Sequence, residues 1–132
     1  MPSVMKNPMG LPSIVERAFS TVWSLAVLDA NQKRVARSEG VSLVVNLMMA
    51  FIEYERVQKQ GCGCLSTLAA DPANNRSLQS LGCLEAVIFA MWSHFNYDEL
   101  QSEACRALSV LARGAPATEI LRVSETELEA IV

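Results

Sequence analysis

The sequence predicts an all-α fold in which stacked helical repeats form a solenoid. Residues 57–70, VQKQGCGCLSTLAA, recur 43 positions later at residues 100–113, LQSEACRALSVLAR. Extended to residues 30–69 over 73–112 without a gap, the same register gives 11 identical residues in 40 pairs. Self-similarity of this length is typical of α-solenoids, in which each unit buries its apolar face only against its neighbours.

The chain is predicted to begin with a flexible leader, residues 1–12, that is broken by prolines. A helix then starts at Ile14, with Ser13 as the N-cap and Glu16 completing a capping box. This segment, residues 13–28, matches the long helix of the repeat and is interpreted as the last helix of a partial repeat. Its predicted apolar face consists of Ile14, Ala18, Val22, Leu25 and Ala26.

The first full repeat is predicted at residues 31–71. It comprises a short helix at 31–38, a sharp turn at Gly40, an apolar middle helix at 41–51 and a long helix at 55–70. A strand competes at residues 42–45, but the helical periodicity on both sides favours a helix. Asp71 and Pro72 end the long helix, because proline removes a backbone donor and restricts the residue before it.

The second repeat, residues 74–114, follows a turn at residues 72–75 and has the same order. A short helix at 74–80, Gly82, a middle helix Cys83–Ser93 and a long helix at 97–113 are predicted. A third, partial repeat at 117–132 contains LEAIV at 128–132, which resembles LEAVI at 84–88. We interpret this end as a boundary within a longer solenoid, whose exposed ends could self-associate.

Composition excludes several classes of protein. Hydrophobic residues make up 51% of the 132 residues, so the chain is not predicted to be disordered. The net charge is −3, and neither half is basic enough to indicate nucleic-acid binding. No apolar run spans 18 residues, and no signal peptide is recognisable, so no membrane association is expected. Four cysteines inside helical patterns favour a reducing, intracellular and cytoplasmic setting.

The order of short helix, glycine, apolar middle helix and long helix ending in L-x-x-L-A resembles the armadillo repeat. The motif reads GCLEAVIFAM followed by LQSEACRALSVLA, and GVSLVVNLMM followed by VQKQGCGCLSTLA. The HEAT repeat is the alternative, but its two-helix unit does not explain the short helix and the glycine. The armadillo resemblance implies a right-handed superhelix without catalytic activity. It also implies that the third helices line a concave groove, which binds an extended peptide or a partner protein.

The resemblance also indicates which residues would line the groove. Nuclear-import receptors of this family carry an asparagine where this chain has Ser24, Thr67 and Val110, and a tryptophan where it has Ser20, Gly63 and Arg106. Both are absent, which argues against recognition of nuclear-localisation signals. Helical spacing places three polar stripes along the predicted groove. They are Arg17, Ser20 and Ser24; Arg56, Gln60, Gly63 and Thr67; and Glu99, Glu103, Arg106 and Val110.

Other chemistry-bearing residues are interpreted as structural. Cys62 and Cys64 lie two positions apart on a helix and so point in different directions, which argues against a shared metal ion. Cys62 and its repeat equivalent Cys105 are expected in the core. His94 lacks a recognisable catalytic partner. We therefore expect no enzyme activity, no metal and no cofactor. Packing is favoured for both tryptophans and for the methionines: Trp23, Trp92, Met48, Met49 and Met91. The alternative function is a structural or self-associating segment of a larger protein.

Overall fold

The structure, a computed structural model, describes residues 10–28, 34–35 and 39–114. Within these residues it contains six α-helices and no strand, so the all-α prediction is confirmed. The predicted short helix at 31–38 lies largely outside the described residues, and the partial repeat at 117–132 lies wholly outside them. The helices are α1 (Leu11–Ala26), α2 (Gly40–Ala50), α3 (Glu55–Leu68), α4 (Pro72–Ser80), α5 (Cys83–Ser93) and α6 (Asp98–Leu111), followed by a 3₁₀ turn at Ala112–Gly114.

Two of these helices recur with their bounds shifted by the 43 residues of the sequence repeat. The middle helices α2 and α5 each have 11 residues, and the long helices α3 and α6 each have 14. The connections also correspond, because Tyr54 and Tyr97 precede the long helices with nearly equal dihedral angles, φ −101° and ψ 101° against φ −95° and ψ 96°. The segment at 42–45 is helical, which removes the competing strand interpretation.

A glutamine at equivalent positions holds each middle helix to its long helix. Gln58 Nε2 donates to the carbonyl oxygens of Met48 at 2.8 Å and Phe51 at 3.0 Å. Gln101 Nε2 repeats this with Met91 at 3.0 Å and His94 at 3.1 Å. The acceptors lie where the middle helix ends and its last carbonyls lack intrahelical partners. The side chain therefore performs the capping that a glycine motif performs elsewhere.

Several predicted helix ends are wrong. The α1 helix begins at Leu11 with Gly10 as N-cap, so Ser13 lies inside the helix and the predicted capping box does not form. Proline is compatible with the first helical turn, which lets the helix include Pro12. For the same reason Pro72 begins α4 rather than forming a turn, and Asp71 caps that helix through Oδ1, which accepts from Ala73 N at 3.0 Å.

Glycine has the predicted turn role at Gly82 alone among the described residues. Gly82 adopts φ +85°, a left-handed conformation that side chains disfavour. Gly40 instead starts α2 with no positive φ, so the predicted sharp turn at Gly40 is wrong.

The core is centred on α3, which packs lengthwise against both α1 and α6. Phe19 of α1, Leu65 of α3 and Leu100 of α6 are among its fully or almost fully buried side chains. Two glycines of α3 allow close approach. A Cβ at Gly61 would lie 2.5 Å from Met48 Sδ, and a Cβ at Gly63 would overlap the ring of Trp23. The packing role predicted for Trp23 and for Met48 is therefore confirmed.

The predicted core face of α1 is wrong at three positions. Ala26 is buried as predicted, and Val22 packs partly against the core. Ile14, Ala18 and Leu25 are exposed, however, and the helix buries Val15 and Phe19 instead. Two apolar stripes run along this helix, and the one nearer α3 forms the packing face.

The cysteines separate into two groups. All four are free thiols; Cys62, Cys64 and Cys83 are buried, whereas Cys105 is exposed, contrary to the core position predicted for it. Burial raises the pKa of the Cys62 thiol far above its ordinary value, and it raises the pKa values of Cys64 and Cys83 to about 12. Cys64 Sγ also donates to the carbonyl oxygen of Phe19 at 2.9 Å.

We expect alkylation of the folded protein at pH 8 to label Cys105 and to spare the other three thiols. The buried thiols combine lack of access with a raised pKa, so little thiolate forms there at pH 8. Mass spectrometry of dilute protein after brief iodoacetamide treatment should show one added group, and a Cys105→Ser variant should show none. Rapid labelling of Cys62, Cys64 or Cys83 without denaturant would contradict this burial.

Candidate partner-binding surface

The long helices α1, α3 and α6 carry all eleven residues predicted to contact a partner, here called the long-helix surface. Six are exposed: Arg17, Ser20, Ser24, Arg56, Glu99 and Arg106. Four are half-buried: Gln60, Thr67, Glu103 and Val110, of which Val110 packs partly against the core. Gly63 is buried beneath the Trp23 ring, so its prediction as a groove-lining residue is wrong.

A polar groove of about 400 Å³ lies between α1 and α3 and brings four of the predicted residues together. Two of its lining residues, Ser13 and Glu16, are absent from the set predicted from the sequence. Ser13 is the repeat equivalent of Arg56, which is the signal that could have identified it. The lining residues are Ser13, Glu16, Arg17, Ser20, Arg56 and Gln60.

A second groove of about 560 Å³ adjoins the first, because the two share Ser13, Glu16 and Arg56. Glu53 and Glu55 add negative charge to its lining, and Tyr54 adds an aromatic ring. Together the two grooves place cationic guanidinium groups beside carboxylates. A surface of mixed charge is suited to hydrogen bonding with a polar chain rather than to holding a polyanion.

Ion pairs join successive long helices at equivalent positions. In one pair the acidic residue lies on the earlier helix, and in the other pair the basic residue does. Glu16 Oε1 on α1 pairs with Arg56 Nε on α3 at 2.9 Å, and Lys59 Nζ on α3 pairs with Glu99 Oε2 on α6 at 2.8 Å. Each pair joins residues 40 positions apart, and Glu16 is the repeat equivalent of Lys59. The hydrogen bond with Lys59 lowers the pKa of Glu99, and the same bond raises the pKa of Lys59.

Two side-chain acceptors on this surface lack a hydrogen bond, and they occupy the same repeat position. Gln60 Oε1 and Glu103 Oε2 are shielded from solvent and find no hydrogen-bond donor within the described parts of the chain. Arg106 Nη1 lies 3.8 Å from Glu103 Oε2, beyond hydrogen-bonding distance. Because an unsatisfied buried acceptor is costly, rotation of either side chain toward an N–H donor of a bound chain would lower the free energy of the bound state.

The hydroxyls of α1 bond within their own helix. Ser24 Oγ donates to the Ser20 carbonyl oxygen at 3.0 Å, and Thr21 Oγ1 donates to that of Arg17 at 2.9 Å. Because these bonds use the hydroxyl protons, the role left to the Ser24 oxygen toward a ligand is that of an acceptor. It is thus a third acceptor on the long-helix surface.

His94 makes a structural contact. Its Nε2 donates to the carbonyl oxygen of Ile52 at 2.5 Å, which links the end of α5 to the turn after α2. Among the residues that the structure describes, no group of three or more His, Cys, Asp or Glu side chains is arranged to hold a metal ion.

Comparisons with protein-family models, with curated proteins and with solved structures give no match to this chain. None of the helices in the described ranges is long and apolar enough to cross a membrane.

Proposed function

We propose that this chain is an armadillo-type α-solenoid segment that binds an extended peptide or a partner protein along the long-helix surface. The observation that supports this most strongly is the pair of unsatisfied acceptors, Gln60 Oε1 and Glu103 Oε2, at one repeat position on neighbouring helices. Rotation of these two side chains toward a chain lying across α3 and α6 would let both accept its main-chain N–H groups. The equal 43-residue shift of the middle and long helices supports the repeat architecture on which this geometry depends.

In this proposal the role of each residue follows from its position. Arg17 and Arg56 attract carboxylate or carbonyl oxygens of the partner at the α1–α3 groove, while Gln60 and Glu103 accept from its N–H groups. No residue is assigned a catalytic role, and the protein is proposed to act as an adaptor or scaffold. An intracellular, cytoplasmic setting is proposed from the four free thiols.

A structural or self-associating segment is the second candidate. It is favoured by large apolar side chains that remain exposed, including Ile14 at 55% and Phe95 at 70%. Ile14 and Phe95 lie outside the eleven residues of the long-helix surface, so the two functions are separable by mutation.

We expect peptides selected from a random display library on this protein to lose affinity for an Arg56→Glu, Gln60→Ala variant. The variant reverses one charge in the groove and removes one acceptor, so the dissociation constant should rise at least about tenfold, or about 1.4 kcal/mol. Isothermal titration calorimetry would measure it.

Arg76→Glu provides the matched control, because Arg76 is an exposed arginine on α4, outside the long-helix surface. It should leave the affinity unchanged. Equal affinity of the wild-type protein and the groove variant, or equal losses in both variants, would contradict binding at the α1–α3 groove.

A further inference from the structure

At several equivalent positions the residue of the second repeat is more exposed than that of the first. Cys62 is fully buried and Cys105 is exposed; Leu65 is fully buried and Leu108 is half-buried. The second repeat packs over these positions of the first, whereas nothing within the described residues packs over their counterparts. We call the more exposed set the end face: Met91, Phe95, Cys105, Leu108 and Ser109.

The end face contains an apolar groove of about 310 Å³ between α5 and α6. Not every exposed apolar residue near it belongs to the stacking positions. Trp92 is 45% exposed. Its equivalent in the first repeat, Met49, is 42% exposed although the second repeat packs against the first, so this position stays exposed after stacking. The residues that stacking buries are thus distinguishable from those that it leaves exposed. The groove is lined by Ile88, Met91, Trp92, Phe95, Gln101 and Leu108.

At the other end of the described structure, α1 exposes a stripe with spacing of alternately three and four residues. We call it the α1 stripe; it comprises Leu11, Ile14, Ala18, Thr21 and Leu25, all exposed. The equivalent residues of α3 and α6 are buried or half-buried. Those residues are Tyr54, Val57, Gly61, Cys64 and Leu68 in α3, and Tyr97, Leu100, Ala104, Ala107 and Leu111 in α6.

The contacts between α1 and α3 show how a long helix packs against the preceding long helix. Gly63 accepts the Trp23 ring, and Cys64 Sγ reaches the Phe19 carbonyl oxygen. If α6 of one copy takes the place of α1, and α1 of a second copy takes the place of α3, the same register places the second copy's α1 beside the end face. Ser20 would then lie opposite Ser109, two small side chains, and Thr21 would lie beside Cys105.

Charge does not oppose this arrangement. Inside the chain, the ion pairs that cross between neighbouring long helices are Glu16 with Arg56 and Lys59 with Glu99. At a junction between copies, the same positions hold Ser102 of one copy and Ser13 of the next. A neutral pair places no like charges opposite each other at these two positions.

We propose that copies of this chain associate head to tail, with the α1 stripe of one copy packed on the end face of another. The contact continues the packing that α3 and α6 already show, and it goes beyond binding of a peptide by the long-helix surface. It joins two different faces, so it is heterologous and does not close at a dimer.

Two variants of the full chain test the proposal by sedimentation velocity. Ile14→Glu places a charge on the α1 stripe, and Cys105→Glu places one on the end face; both residues are exposed, so the fold of the monomer should tolerate them. The wild-type mass is expected to rise with concentration beyond that of a dimer. Each variant alone should remain monomeric, and Met49→Glu should behave like the wild type.

Mixing the two variants gives the decisive result. Ile14→Glu retains an intact end face and Cys105→Glu retains an intact α1 stripe, so an equimolar mixture should form one-to-one dimers and nothing larger. Alkylation of Cys105 in the wild type should slow as concentration rises. A wild type that stays monomeric from micromolar to millimolar concentration would overturn the proposal, as would a mixture without dimers. A Cys105 thiol that is protected at every concentration would indicate instead that residues 115–132 cover the end face.

Discussion

Replacing Gln58 by leucine is expected to lower the free energy of unfolding by about 2–3 kcal/mol, because two buried carbonyl groups lose their donor. Those carbonyls belong to Met48 and Phe51 at the end of α2. The loss is partly offset, since Gln58 Oε1 is itself buried without a hydrogen-bond partner in the described structure. Urea unfolding followed by circular dichroism would give the difference.

Two matched substitutions test whether the lost hydrogen bonds to the helix end cause this destabilisation. Gln101→Leu removes the equivalent bonds at a half-buried site where water can replace them, so a loss of about 1 kcal/mol is expected. Gln60→Leu, on the same helix, removes no bond to a helix end in the described structure, and its effect should fall within about 0.5 kcal/mol of zero. Equal and small losses for Gln58 and Gln101 would contradict the capping role.

Replacing Gly63 by alanine is expected to destabilise the protein by about 1–2 kcal/mol, although alanine is the better helix former by about 1 kcal/mol. The new Cβ would overlap the Trp23 ring, a rigid group that must move as a whole. In a Trp23→Leu background the ring is gone, and the same substitution should become stabilising by about 1 kcal/mol. Thermal or urea unfolding of the four proteins would complete the double-mutant cycle.

Gly61→Ala provides the control for close packing without a rigid neighbour. Its Cβ would meet Met48 Sδ at 2.5 Å, but a thioether chain can change rotamer. Its cost should therefore be smaller than that of Gly63→Ala, and Trp23→Leu should not change it. A Gly63→Ala effect that has the same sign with and without the Trp23 ring would disprove the contact.

The sequence was most informative where two complete units could be compared. The helix Cys83–Ser93 was predicted at its observed bounds, whereas its equivalent, predicted at 41–51, begins and ends one residue earlier. Helix ends were less predictable. Pro72 and Pro12 are acceptable both in a turn and in a first helical turn, and only the surrounding packing selects between the two.

Exposure could not be predicted from equivalence alone. Cys62 and Cys105 are the same residue at the same repeat position, but only Cys62 is covered by a following repeat. On α1 the stripes containing Ile14 and Val15 are both apolar, and the sequence does not show which one faces α3. The two crossing ion pairs were not predicted, although opposite charges 40 residues apart occur twice in register.

The central claim is that a partner lies across α1, α3 and α6, and nuclear magnetic resonance tests it most directly. A selected peptide would be titrated into labelled protein while backbone amide shifts are followed. We predict that the largest changes cluster at Arg17, Ser20, Arg56, Gln60 and Glu103, with little change at Arg76 on α4. Changes confined to α4, or to the end face around Phe95 and Cys105, would contradict the proposed binding surface.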